Sequence, residues 1–144
     1  MKKILALVLG IALSFPALAG NDKPISPDKL PAPVKEFIAK HFASSDISLA
    51  TVDRELFDTT YEVFFTDGNK VEFDKNGEWK DIDCKYSRIP DKALPEKISE
   101  YITANHSGRY AKEIDRDKYD YEVKLDNGLE LKFDLRFRLI GYDD

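Results

Sequence analysis

Two stretches of the chain alternate between apolar and polar residues with a period of two, and each follows a shorter stretch whose period is near 3.6. In the first half Val34, Phe37, Ile38 and Phe42 recur at i, i+3, i+4 and i+8 behind Pro31 and Pro33. Proline suits a first helical turn, where its missing N–H would have had no intrahelical acceptor. Tyr61, Val63 and Phe65 then alternate with Glu62, Phe64 and Thr66, Asp67-Gly68-Asn69 supplies a turn, and Val71 and Phe73 alternate with Glu72 and Asp74. Asn76-Gly77 makes a second tight turn before a strand over residues 79–86. The same order returns later. Leu94, Ile98, Tyr101 and Ile102 follow Pro90 and Pro95; Tyr121, Val123 and Leu125 lead through Asn127-Gly128 into Leu131, Phe133 and Leu135, with a last strand near residues 137–142. Residues 47–57 and 110–119 are less regular and are expected to add a first strand to each half.

The correspondence extends to identical residues. Leu30-Pro31 matches Leu94-Pro95 at an offset of 64, Val52-Asp53-Arg54 matches Ile114-Asp115-Arg116 at 62, and Tyr61-Glu62-Val63 matches Tyr121-Glu122-Val123 at 60. The pattern predicts an α+β fold of two tandem repeats, about residues 27–86 and 89–144, each a helix followed by a four-stranded antiparallel meander. One helix on four strands buries too small a share of its surface to be comfortable alone. The two units are therefore expected to join edge to edge into one domain over residues 20–144, with the helices on one face. Residues 87–92, short and carrying Pro90, read as a junction rather than a flexible linker.

The N-terminus has a different character. Lys2-Lys3, the apolar run over residues 4–15 and Ala17-Leu18-Ala19 have the three parts of a secretory signal, so residues 1–19 are expected to be removed. The apolar stretch is interrupted by Pro16 and is shorter than the roughly 20 residues a spanning helix needs. With Gly20 and not Cys directly after the cleavage point, there is no lipid acceptor there, and the product is expected to be free in the periplasm or secreted, without membrane attachment.

Composition narrows the chemistry. A charged fraction of 34% with 42% hydrophobic and 12% aromatic residues fits a folded, soluble domain. One Cys and two His cannot build a zinc site from Cys and His alone, nor an internal disulfide. Cys84 is read as a half-buried strand residue, with pairing between chains the alternative in an oxidising compartment. His41 and His106 fall at unmatched positions in the two halves and read as ordinary helix residues. Asp74-Lys75-Asn76-Gly77 lacks the ligand spacing of a calcium loop, and Asp81 and Asp83, sharing a strand face, are weak evidence for a site. There is no nucleophile motif or phosphate-cradling glycine loop. With 22 basic against 27 acidic side chains, nucleic acid is not an expected partner. No catalytic residue, metal or cofactor is assigned.

Alternation assigns the faces. Tyr61, Val63, Phe65, Val71, Phe73, Tyr121, Val123, Leu125, Leu131 and Phe133 would lie under the helices. The opposite face would carry Glu62, Phe64, Thr66, Glu72, Asp74, Glu122, Lys124, Lys132, Asp134, Arg136 and Arg138. Antiparallel sheets commonly leave one face to water, so charge there needs no function. Against that stand two aromatics out of phase, Phe64 and Trp79, and a basic stripe of Lys124, Lys132, Arg136 and Arg138. Aromatic and arginine side chains are frequent interface anchors. These six residues are the candidate partner-binding set.

Leu30-Pro31 with Phe37-Ile38, Tyr61-Glu62-Val63, Asp67-Gly68, Phe73-Asp74, Asn76-Gly77-Glu78-Trp79 and Ile89-Pro90 together resemble the PepSY-like family of exported bacterial proteins. Leu94-Pro95 with Tyr101-Ile102, Tyr121-Glu122-Val123, Asn127-Gly128 and Phe133-Asp134 carry the resemblance through the second half. The last hairpin departs from it, with Arg136-Phe137-Arg138-Leu139 in place of Asn76-Gly77-Glu78-Trp79. The resemblance implies a fold related to the β-lactamase inhibitor protein, one concave sheet, no catalysis, and a binding or inhibitory role toward a periplasmic or secreted enzyme. The second expectation, from another class, is a small-ligand or metal-binding sensor domain.

Overall fold

The computed structural model describes residues 21–144; the expected signal segment lies outside the described residues. Nine strands follow one another in space in the order they follow in sequence, every neighbouring pair antiparallel. They are β1 (Lys23–Pro24), β2 (Ile47–Glu55), β3 (Asp58–Phe65), β4 (Lys70–Phe73), β5 (Trp79–Asp83), β6 (Ala111–Arg116), β7 (Asp120–Leu125), β8 (Glu130–Asp134) and β9 (Leu139–Asp143). Two ten-residue helices, α1 (Ala32–His41) and α2 (Glu96–Asn105), precede β2 and β6.

This corrects the expected fold class. The α+β reading of two helix-plus-four-strand repeats fails because the molecule is mostly sheet: nine strands run as one continuous antiparallel sheet that carries only two ten-residue helices. β5 and β6, at the supposed junction, pair in register through Asp81↔Asp115, Ile82↔Ile114 and Asp83↔Glu113. β1, which the sequence pattern did not announce, pairs with β2 and makes a ninth strand. The result is a single antiparallel sheet with two short helices laid on it.

One row of side chains shows why the sheet holds together. Ala50, Val63, Val71, Ile82, Ile114, Val123 and Leu131 are successive cross-strand partners through seven strands, and none is more than 2% exposed. Removing each larger side chain from water stabilises the fold by about 1.5–3 kcal/mol. The helices cover this face. Phe37 of α1 meets Phe73 edge-on at 5.5 Å, and Tyr101 of α2 meets Phe133 in the same way at 5.3 Å. Residues 87–92 are packed rather than free: Ile89 is buried and its N–H donates to the Ala111 carbonyl at 2.9 Å.

In a meander, alternate turns fall at the same end of the sheet. The β2–β3, β4–β5, β6–β7 and β8–β9 turns therefore share one end. The β2–β3 hairpin is the longest, and residues 58–60 of β3 extend past β4, whose pairing stops at Tyr61↔Phe73. At about 3.3 Å per residue the hairpin projects some 10 Å beyond its neighbour.

Candidate functional site

The next row over, on the face away from the helices, is acidic. Thr51, Glu62, Glu72, Asp81, Asp115, Glu122 and Lys132 are successive cross-strand partners on β2 to β8. Five consecutive positions thus carry carboxylates, and Asp83 sits opposite Glu113 in the adjacent row. Like charges directly opposite one another weaken a sheet.

Three lysines on this face are held in ion pairs, while Lys70, opposite Asp83, makes none among the described residues. Lys80 lies 3.6 Å from Glu72, Lys124 4.0 Å from Glu130, and Lys132 3.2 Å from Asp120 and 3.5 Å from Glu122. Asp81, Glu113 and Asp115, at the centre, have no ion-pair partner among the described residues. Burial, opposed in part by Lys70 and reinforced by Glu113, Asp115 and Glu72, pushes the Asp81 carboxyl up to about 7. Its Oδ1 is buried without a hydrogen-bond partner among the described residues. Burial raises Glu113, with Asp83 adding to it, and raises Asp115, with Glu122 adding to it. Glu62 is raised for the same first reason.

Around this centre the face forms an open concavity of about 710 Å³, lined by Glu72, Asp81, Asp115 and Glu122, with Asp58 and Lys118 from the β2–β3 and β6–β7 hairpins. Asp58 reaches it because the longer hairpin overhangs the sheet. Both hairpin tips expose apolar side chains: Leu56 is 87% and Phe57 88% exposed, and Tyr119 is 69% exposed. Leu135, in the β8–β9 turn at the same sheet end, is also exposed.

The six candidate partner-binding residues do not gather into one patch. Phe64 lies between buried Val63 and Phe65, so strand alternation turns it to the open face, where it is half-buried opposite Lys70. Trp79 is on the other side. A bulge adds Lys80 to β5, which brings Trp79 opposite Phe73, under the helices, 6.3 Å from Tyr121 and beneath the Arg116 guanidinium at 5.0 Å. Lys124 and Lys132 stand on the open face but in the ion pairs just given. Arg138 folds back on its own turn, its Nε donating to Asp134 at 2.8 Å, while Arg136 in the same turn makes no ion pair among the described residues.

Sequence reasoning missed the hairpin tips and the acidic row. Leu56-Phe57 reads as the apolar end of a strand, whereas Asp58, whose Oδ1 accepts the Thr59 N–H at 2.9 Å, begins the return strand. The individual carboxylates were assignable to a face, but their alignment depends on the β5–β6 pairing, which crosses 27 residues of intervening chain. Cys84 is fully buried, which closes off pairing between folded chains, and burial pushes its thiol up to about 12.

Residues 59–141 match the family model described as "Putative beta-lactamase-inhibitor-like, PepSY-like". The chain belongs to the PepSY-like family. Several solved structures share this fold. A "putative periplasmic protein from DUF2874 family" of Bacteroides vulgatus is 43% identical, with 88% of this chain and 99% of that chain covered and a TM-score of 0.84. A "putative calcium-regulated periplasmic protein" of Bacteroides thetaiotaomicron is 46% identical over 85% and 97% of the two chains, at 0.81. A "putative periplasmic protein of unknown function" of Bacteroides vulgatus is 36% identical over 85% and 99%, at 0.78. No curated protein matches the sequence. None of these three proteins is described as an enzyme. Among the described residues no helix is long and apolar enough to cross a membrane.

Proposed function

We propose that the protein is a non-catalytic binding module of the periplasm whose helix-free sheet face engages a protein partner, regulating or inhibiting a periplasmic or secreted enzyme. The observation that carries this reading is the pairing of a broad, open concavity with exposed apolar hairpin tips, Leu56-Phe57 and Tyr119, beside it. Interfaces draw their affinity from a few such large side chains. The similar proteins described as periplasmic support the location, and the inhibitor-like family description supports the class of role. Cys84, buried with its thiol pKa pushed up, is a poor nucleophile, consistent with binding rather than chemistry.

Site-specific photocrosslinking in the periplasm tests this. A photoreactive phenylalanine at position 57 or 119 is expected to trap one protein, which is then assayed for loss of activity in complex. The same probe at position 86, exposed at the opposite end of the sheet, is expected to trap nothing. Equal labelling from all three positions, or none from 57 and 119, rejects the reading.

A second reading, a cation-responsive sensor, is favoured by one observation: the 46%-identical relative is described as calcium-regulated. Against it, among the described residues no group of three or more His, Cys, Asp or Glu side chains is arranged to hold a metal ion. A saturable rise in Tm with calcium, absent with magnesium at equal ionic strength, would reverse the preference.

A further inference from the structure

Resting on the reading of the protein as a partner-binding module, we propose that the occupant of the concave face is a cationic loop of the partner, presenting arginine or lysine to Asp81, Glu113 and Asp115 with apolar residues against the Phe57 and Tyr119 tips.

Charge complementarity selects this occupant. The sheet places like charges opposite one another at Glu72↔Asp81, Asp81↔Asp115 and Asp115↔Glu122, an arrangement unfavourable for the free protein. Lys80, Lys124 and Lys132 are paired toward the rim with Glu72, Glu122, Glu130 and Asp120, while Lys70, beside the centre and in no ion pair among the described residues, offsets only part of the charge of Asp81, Asp83, Glu113 and Asp115, which leaves the centre net negative and partly desolvated. A guanidinium entering there meets carboxylates on two adjacent strands and bonds them through a planar fork of donors. An anionic or neutral occupant would leave those carboxylates buried and unpaired. A second copy of this chain would bring the same acidic face and a net negative charge. The tips add what charge does not: large exposed apolar side chains next in sequence to Asp58 and Lys118, which line the concavity, beside the steering field of the carboxylates.

The surroundings of Asp81 set the pH dependence. It is faced by Lys70 and Glu72 from β4, Lys80 and Asp83 on its own strand, and Glu113 and Asp115 from β6, with Glu122 and Lys124 on β7 beyond. A cation binds the ionised carboxylate, so protons compete with it. Binding therefore releases protons near neutrality and weakens as the pH falls from 8 to 6, through the raised Asp81 pKa of about 7.

Calorimetry on the purified protein tests the proposal, with a synthetic peptide of three arginines interleaved with leucine and tryptophan as probe and its glutamate counterpart as control. The arginine peptide is expected to bind with proton release, and Asp81→Asn/Asp115→Asn to weaken it about tenfold or more, roughly 1.4 kcal/mol per decade. Glu113→Gln, which changes one carboxylate outside that row, is expected to weaken it several-fold and guards against a fold defect in the double variant. Glu96→Gln/Glu100→Gln on α2 removes the same charge elsewhere and is expected to change it less than about twofold. Equal binding of the glutamate peptide, or equal losses in the α2 variant, overturns the proposal. Crosslinks from positions 57 and 119 that persist in Asp81→Asn/Asp115→Asn would likewise overturn it while leaving the protein-binding reading standing; absence of crosslinks from 57 and 119 in the protein without those two substitutions removes both.

Discussion

Asp81 is the residue at which stability and binding compete. Its carboxyl is raised by burial first and by neighbouring carboxylates after that. A group whose folded pKa exceeds its unfolded value stabilises the fold while protonated. That contribution is fully present below the unfolded value near 3.8 and is lost as the pH rises through about 7. The protein is thus expected to melt at a higher temperature at pH 5 than at pH 8. Asp81→Asn keeps the shape and removes the charge, and should raise stability at pH 8 by about 1–2 kcal/mol after allowance for relaxation around the charge. For a domain of this size that is a Tm increase of several degrees. At pH 5 the same substitution should change Tm little. Thermal melts of both proteins at the two pH values check this, and a pH-independent gain would mean that Asp81 destabilises by packing rather than by charge.

Turns decide where each strand's side chains end up, and one pair of turns shows how. Asp74 accepts the N–H groups of Asn76 and Glu78 at 2.8 and 3.0 Å, while Asp134 accepts those of Arg136 and Arg138, each at 2.9 Å. The residue at the left-handed position is Gly77 in the first turn (φ 79°) and Phe137 in the second (φ 63°). A Cβ on Gly77 would lie 2.8 Å from Pro33 Cβ at the start of α1, so glycine is needed there for space as well as for φ. Phe137 instead packs its ring on Tyr121 at 5.2 Å. Gly77→Ala should therefore lose about 2–4 kcal/mol, combining left-handed strain with overpacking. Gly128→Ala, at φ 89° with nothing within 4 Å of the added carbon, should lose only about 1–2 kcal/mol. Urea unfolding of the two variants gives the difference, which isolates the Pro33 contact. At this scale the sequence was informative wherever spacing is local: the helices at Val34 and Ile98, the Asn-Gly turns and the alternation of Val63 and Val71 all follow from neighbours within a few residues. Trp79 was misplaced because a single inserted residue, Lys80, changes the register without any compositional mark. Phe64, with no bulge between it and Val63, stayed on the face that its alternation gave it.

Across the whole molecule, the β5–β6 pairing makes β1–β5 and β6–β9 one sheet, and the sequence alone gives no measure of that coupling. Ile114 sits at the join, fully buried, paired with Ile82 on one side and Val123 on the other. Ile114→Ala removes packing that both halves share and should destabilise the protein by about 2–5 kcal/mol. The distribution of that loss is the informative quantity. The Phe65 N–H donates to Asn69 in the β3–β4 turn and the Leu125 N–H to Leu129 in the β7–β8 turn, each at 2.9 Å, so these amides report on the two halves separately. If the sheet opens only as a unit, native-state hydrogen exchange in Ile114→Ala will lower protection at both amides by the same free energy. Loss confined to Leu125 would mean that β6–β9 can open while β2–β5 remain folded. In that case the acidic row, which needs Asp81 from β5 and Asp115 from β6 side by side, would be a property of only part of the native ensemble. A partner that bridges the two strands would then slow exchange at Leu125 more than at Phe65, because it binds only the closed sheet.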